Sequence, residues 1–127
     1  MSFSEINARI QQRVNQQVRS VTIGVFSSVI RMTPVDTGRA KGNWQCTIGA
    51  PASGQEQLSD SEGAMIATVP NEAGYKVYLT NNVPYIQTLE YGRFGTGDGA
   101  TTKTTRDGFS IQAPYGMVRI SIDRFAQ

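Results

Sequence analysis

The 127-residue sequence contains no histidine and a single cysteine, Cys46. The first absence removes the commonest general base and the commonest metal ligand. The second rules out an internal disulfide and a thiolate zinc site. Leucine is scarce, with three residues, whereas Val, Ile and Thr together supply 32, a bias toward strands outside the first helix. No apolar run approaches the ~20 residues that cross a membrane. The opening Met-Ser-Phe-Ser-Glu lacks the basic leader and apolar stretch of a signal peptide. A net charge of +2 is too small to imply nucleic-acid binding. These absences describe a chain expected to be soluble, to be made in a reducing cytoplasm, and to form one domain around a modest core, since only 39% of its residues are hydrophobic.

Catalytic chemistry finds little to work with. The run Gly92-Arg93-Phe94-Gly95-Thr96-Gly97-Asp98-Gly99 superficially resembles a phosphate loop, but Lys103 follows Thr102 rather than glycine and no apolar helix comes after it. Asp98 and Asp107 are too far apart for a calcium loop of the helix–loop–helix kind. Cys46, in an apparent strand two residues from Trp44, reads as a small buried residue rather than a nucleophile. A carboxylate pair such as Glu90 with Asp36 has nothing to place it in a cleft. No catalytic residue, metal site or cofactor is therefore expected.

What is present is helical periodicity, then a stop. Phe3, Ile6, Ile10, Val14, Val18, Val21, Val25 and Val29 recur every three or four residues, one stripe of a helix over about 3–32. Ser2 with Glu5 forms a capping-box pattern at its start. Such a helix is ~45 Å long, more than the ~30 Å span of a small domain, so part of it should project. Between Glu5 and Ser20 the stripe is narrow and faces Gln, Asn and Arg. From Val21 to Ile30, Ile23, Phe26 and Ile30 widen it nearly all round, which places the intramolecular core there. The β-branched content of Val21–Ile30 also leaves open a strand, with a break near Ser20.

The stop is Thr33-Pro34-Val35-Asp36-Thr37-Gly38-Arg39, followed by Trp44, the only tryptophan. Pro34 lacks an amide hydrogen and biases Thr33 away from the α region, while Asp36, Thr37 and Gly38 form turns. The block reads as a helix-to-strand corner. Beyond it, Trp44–Ile48, Ala64–Val69 and Tyr75–Leu79 read as strands of a sheet-rich part over about 39–92, with Ala50–Gly63 an exposed loop and Pro70–Gly74 a turn. Tyr85–Tyr91 fits a short helix. Gly92–Gly108, rich in glycine and threonine, reads as a mobile loop, and a structureless stretch that long is usually functional or disordered. The C-terminal element over 112–126 fits a helix through Val118, Ile122 and Phe125, or a strand through Val118, Ile120 and Ile122. The fold class expected is α+β: a long N-terminal helix packed on a small, mainly antiparallel sheet, with one or two short helices.

The corner block with its tryptophan, Tyr85 through Leu89-Glu90-Tyr91-Gly92, and Gln112-Ala113-Pro114 with Gly116-Met117-Val118 carry a resemblance. In that order, over nearly the whole chain, they resemble the tail-completion and neck proteins of long-tailed bacteriophages. The resemblance implies a structural virion protein, one of several copies (usually six) in a ring at the head–tail junction. Such a ring completes the tail, docks the DNA-filled head and leaves a channel for the genome. Its implied partners are further copies of itself and other neck and tail-tube proteins, with DNA only as cargo and no membrane. Its implied location is the virion, after assembly in the host cytoplasm. The family pattern carries onto Pro34, Asp36, Thr37, Gly38, Arg39, Trp44, Glu90, Gly92, Ala113 and Pro114, read as fold-forming positions. It also favours a helix beginning near Pro114. The Gly92–Gly108 loop is longer and more polar than the pattern requires.

Charge suggests how subunits would meet. Residues 1–32 carry Arg9, Arg13, Arg19 and Arg31 against Glu5, whereas residues 50–74 carry Glu56, Asp60, Glu62 and Glu72 with no base. Surface charge of this kind is ordinarily solvation, but segregation of sign also suits contacts between identical subunits. The subunit-interface candidates are Ile6, Ile10 and Val14, flanked by Arg9 and Arg13. Arg93, Lys103 and Arg106 mark a loop that faces the DNA channel or a partner. Arg39 is expected near Glu90 or Asp36. The rival readings are a DNA-binding accessory protein using Arg9, Arg13, Arg19, Lys103 and Arg106, and a small carboxylate enzyme.

Overall fold

The computed structural model describes residues 2–34, 39–91 and 116–125. A 30-residue helix, α1 (Phe3–Met32), leads into a single helical turn, α2 (Arg39–Gly42), and a strand, β1 (Gln45–Ile48). Then come α3 (Ser61–Thr68), β2 (Val77–Thr80), α4 (Ile86–Tyr91) and α5 (Val118–Phe125). The class is α+β. Among the described residues the sheet is one antiparallel pair, with Gln45 opposite Thr80 and Ile48 opposite Val77. Two strands alone are marginal in water, so this ribbon depends on the helices packed around it.

α1 starts at the expected capping box. The Ser2 hydroxyl accepts from the Glu5 amide at 3.3 Å, and the Glu5 carboxylate accepts from the Ser2 amide at 3.3 Å. The helix is continuous through Val21–Ile30, so the strand alternative fails there. Burial differs from the expectation as well. Only Val29 and Ile30 of α1 are fully buried, whereas Val21 is 46% exposed. The core seam thus lies at the last turns, where Ile23, Phe26 and Met32 join Ala40, Trp44, Met65, Val69, Leu89 and Met117.

The end of α1 explains the corner. Thr33 leaves the helix at φ −70°, ψ 130°, as a residue preceding proline should. Its hydroxyl donates to the Val29 carbonyl at 2.7 Å and accepts from the Trp44 indole nitrogen at 2.8 Å. Both Thr33 and Trp44 are buried, so one hydroxyl satisfies a helix-end carbonyl and the indole together. The α2 turn beyond the corner was not expected. Its carbonyls collect side chains from elsewhere: Asn43 on Arg39, Asn81 on Ala40 and Ser61 on Lys41, at 2.7, 2.7 and 2.8 Å.

α3 corrects the strand expected over Ala64–Val69. Asp60 accepts from the Gly63 amide at 2.9 Å, a side-chain cap, and Glu62 occupies the first turn. Ala64, Met65 and Ala67 favour the helix, Met65 alone dropping its side chain fully into the core. The expected Ala50–Gly63 loop therefore ends at Asp60. Arg31 of α1 holds α3 by a bidentate pair with Glu62, at 2.9 and 2.7 Å.

α5 resolves the C-terminal ambiguity in favour of a helix, starting at Val118; Pro114 lies outside the described residues. It packs on α1, where Ser121 shares a 2.8 Å hydrogen bond with Ser28. The Phe125 ring lies so close to Gly24 that a Cβ there would come within 2.7 Å of it. A mid-helix glycine, normally destabilising by roughly 0.5–1 kcal/mol, here makes room for that ring.

The corner hydroxyl can be tested by substitution. Thr33→Val should destabilise by about 1–3 kcal/mol, because the Trp44 indole loses its acceptor in a buried site; denaturant unfolding followed by Trp44 fluorescence measures this. Thr33→Ser, which keeps the hydroxyl, should recover most of the loss.

Candidate subunit interface

Functional candidates fall into two groups: an exposed apolar face on α1, and a buried polar knot at Glu90. The knot comes first because it fixes α5. Glu90 is buried at the end of α4, and its carboxylate accepts from the amides of Met117, Val118 and Arg119 at 2.8, 2.8 and 2.9 Å. The Arg119 guanidinium adds a 3.2 Å ion pair to the same carboxylate and donates to the Glu90 carbonyl at 2.7 Å. A carboxylate on the free amides of a helix N-terminus is favoured by those amides and by the helix dipole. Gly116 runs directly over Glu90, where φ +87° and the lack of a side chain are both needed.

Arg39 was expected near Glu90 or Asp36, tying the corner to the Tyr85–Gly92 element, but the Glu90 carboxylate is taken up by α5 and Arg119. Arg39 instead donates to Gln55 at 3.2 Å and lies over the Tyr85 ring, 5.8 Å from its centre. Its alternative partner, Asp36, lies outside the described residues, as do Val35, Thr37, Gly38, Gly92, Arg93, Asp98, Lys103, Arg106, Asp107, Ala113 and Pro114. The Gly92–Gly108 loop therefore lies outside them too. Of the remaining motif positions, Pro34 is buried just past the end of α1 and Trp44 is buried just before β1.

Burial pushes the Glu90 carboxyl up. The amides of Arg119, Val118 and Met117, with the Arg119 side chain, outweigh that and hold it below the usual carboxylate range. A folded value below the unfolded one gives stability that is present above about pH 4.3 and is lost as pH falls through the folded value. Glu90→Gln should therefore destabilise the protein at neutral pH, and the difference from wild type should shrink in acid. Unfolding curves at pH 7 and pH 3 check this.

The second group lies on α1. Among the described residues, the first bond from α1 to another element is at Asn15, whose side-chain oxygen accepts from the Ala73 amide at 2.9 Å. Arg19 is next along the helix, donating to the Ile66 carbonyl at 3.3 Å. N-terminal to these anchors, Phe3, Ile6, Ile10 and Val14 are 91, 39, 57 and 42% exposed. Arg9 and Arg13 beside them are exposed as well. The projecting half of the helix thus carries an apolar stripe that its own chain leaves wet.

The stripe runs on into a groove of about 350 Å³ between α1 and residues 69–77, walled by Val18, Val21, Val25, Val69, Tyr75 and Val77. This groove was not legible from the sequence, because its far wall comes from residues some fifty positions away. Among the described residues no three His, Cys, Asp or Glu side chains converge as metal ligands. Cys46 is half-buried in β1, and burial pushes its thiol up, away from the reactive thiolate. No helix among the described residues is long and apolar enough to cross a membrane.

The chain matches no known family model, no curated protein and no solved structure.

If the stripe is surface and the last turns are core, the two must respond differently to the same polar group. Ile10→Asn should leave the melting of the isolated subunit unchanged, whereas Ile30→Asn, which buries an unpaired amide, should prevent folding. Thermal melts monitored by circular dichroism distinguish them.

Proposed function

We propose that this protein is a structural subunit of the head–tail junction of a long-tailed bacteriophage. It forms a ring with further copies of itself that completes the tail and receives the DNA-filled head, without catalysing a reaction. The observation that carries the proposal is the projecting half of α1, with an apolar stripe, Phe3 to Val14, exposed along about three turns. Large contiguous apolar patches on a subunit's surface mark sites of contact with other molecules. The resemblance of the corner, α4 and α5 motifs to neck proteins supplies the identity of the assembly. The partners it brings are neck and tail-tube proteins, with the genome passing through as cargo.

The DNA-binding rival has less support. At the described positions Arg19 is bonded to the Ile66 carbonyl of α3, and Arg9 and Arg13 flank the apolar stripe. Two arginines flanking an apolar stripe fit a protein contact better than a phosphate backbone.

Particles from cells lacking this protein should separate into full heads and finished tails under negative stain. Supplying Ile10→Asn should fail to restore joined particles although the subunit folds. Normal joined particles in its absence would refute the head–tail role.

A further inference from the structure

We infer that the groove beside the second half of α1 is the socket for the projecting half of α1 from a second copy of this chain, so that copies join head to tail. This rests on the assembly role proposed above and supplies the receiving side of the contact. The socket is apolar yet wet: Val21 and Tyr75 on its walls are 46 and 57% exposed. The inserting side, Phe3, Ile6 and Ile10, is apolar and wet too. A copy cannot fill its own socket, because both lie on one continuous helix about fifteen residues apart, roughly 22 Å.

Spacing gives the direction. Phe3, Ile6 and Ile10 are separated by three and four residues, and so are Val18, Val21 and Val25. A second helix laid parallel and displaced by fifteen residues sets each of the first over one of the second, in register. Laid antiparallel, three–four meets four–three and the layers fall out of step. Charge agrees with the occupant. Arg9 and Arg13 flank the inserting stripe and Glu72 lines the socket, none of the three in an ion pair among the described residues, while Arg19, also on the lining, is engaged by the Ile66 carbonyl. Such complementarity sets partner choice and register more than affinity. Because socket and inserting stripe are different surfaces, each copy serves two neighbours. Contacts of this heterologous kind close into a ring when the rotation between copies permits.

The test uses the purified full-length chain and light-scattering mass. Wild type should assemble beyond a dimer. Ile10→Asp, which spoils the inserting stripe, and Tyr75→Asp, which spoils the socket, should each stay monomeric with unchanged melting, both positions being exposed. An equal mixture of the two should stop at a one-to-one pair, since only one sound contact is possible and both ends are then blocked. Glu72→Arg should raise the concentration needed for assembly about tenfold or more, through like charges at the contact. Assembly that ignores Tyr75→Asp overturns the socket while leaving the head–tail role to be judged by particle joining. A wild-type species that stops at a dimer, or remains a monomer at every concentration, overturns the head-to-tail contact as well.

Discussion

The Thr33 hydroxyl, donating to Val29 and accepting from Trp44, is the constraint on which the rest of the fold depends. It lies where a long helix must stop and the chain must turn back onto the helix's own last turns. Pro34 ends the helix sterically, but a steric stop leaves unpaired carbonyls and sets no direction for the chain beyond it. The hydroxyl supplies both, closing one carbonyl and fixing the indole that seeds the core. Around Trp44 gather Ile30, Met65, Leu89 and Met117, from four different helices or their flanks. Few elements here could stand alone: among the described residues the sheet has two strands, and α2 is a single turn. Their order comes from being tied to this corner.

Polar side chains do the tying. Asn43, Ser61 and Asn81 converge on the carbonyls of α2, and Glu90 converges with α5. Each bond satisfies a backbone group that helix geometry leaves open, so the polar network substitutes for a larger apolar core. A chain organised in this way concentrates its stability at one end of α1. Among the described residues, the other end, before Asn15, is held only by its own capping box and its helical hydrogen bonds. A helix segment of that length is marginal by itself, and its apolar stripe becomes useful when another surface covers it.

Much of this was legible in the sequence because it is local. The spacing of Phe3 through Val29 specified α1, Ser2 and Glu5 its start, Pro34 its end, and the Pro70–Gly74 turn the approach to β2. α3 was misread because Ala64–Val69 is a short apolar run in which length cannot separate helix from strand, and the Asp60 cap that decides the matter lies outside the run. α2 was invisible, since one turn of Arg-Ala-Lys-Gly has no periodicity and is held by side chains from outside it. Glu90 was singled out, but its partner was not. Arg119 is 29 residues away, and nothing local distinguishes it from Arg39. On the candidate interface, the inserting stripe showed in the sequence as a helix too long for its domain. The socket did not, because Val69, Tyr75 and Val77 reach it through tertiary structure alone.

In energetic terms α1 is two helices, one half folded into its own subunit and the other carrying an apolar stripe exposed to water. Hydrogen exchange along α1, read in the isolated subunit and again in the assembled state, measures this directly. In the isolated subunit, amides over 23–32 should exchange only with global unfolding, and those over 6–14 should exchange through local fraying, gaining protection on assembly. Protection over 6–14 equal to that over 23–32 in the isolated subunit would contradict it.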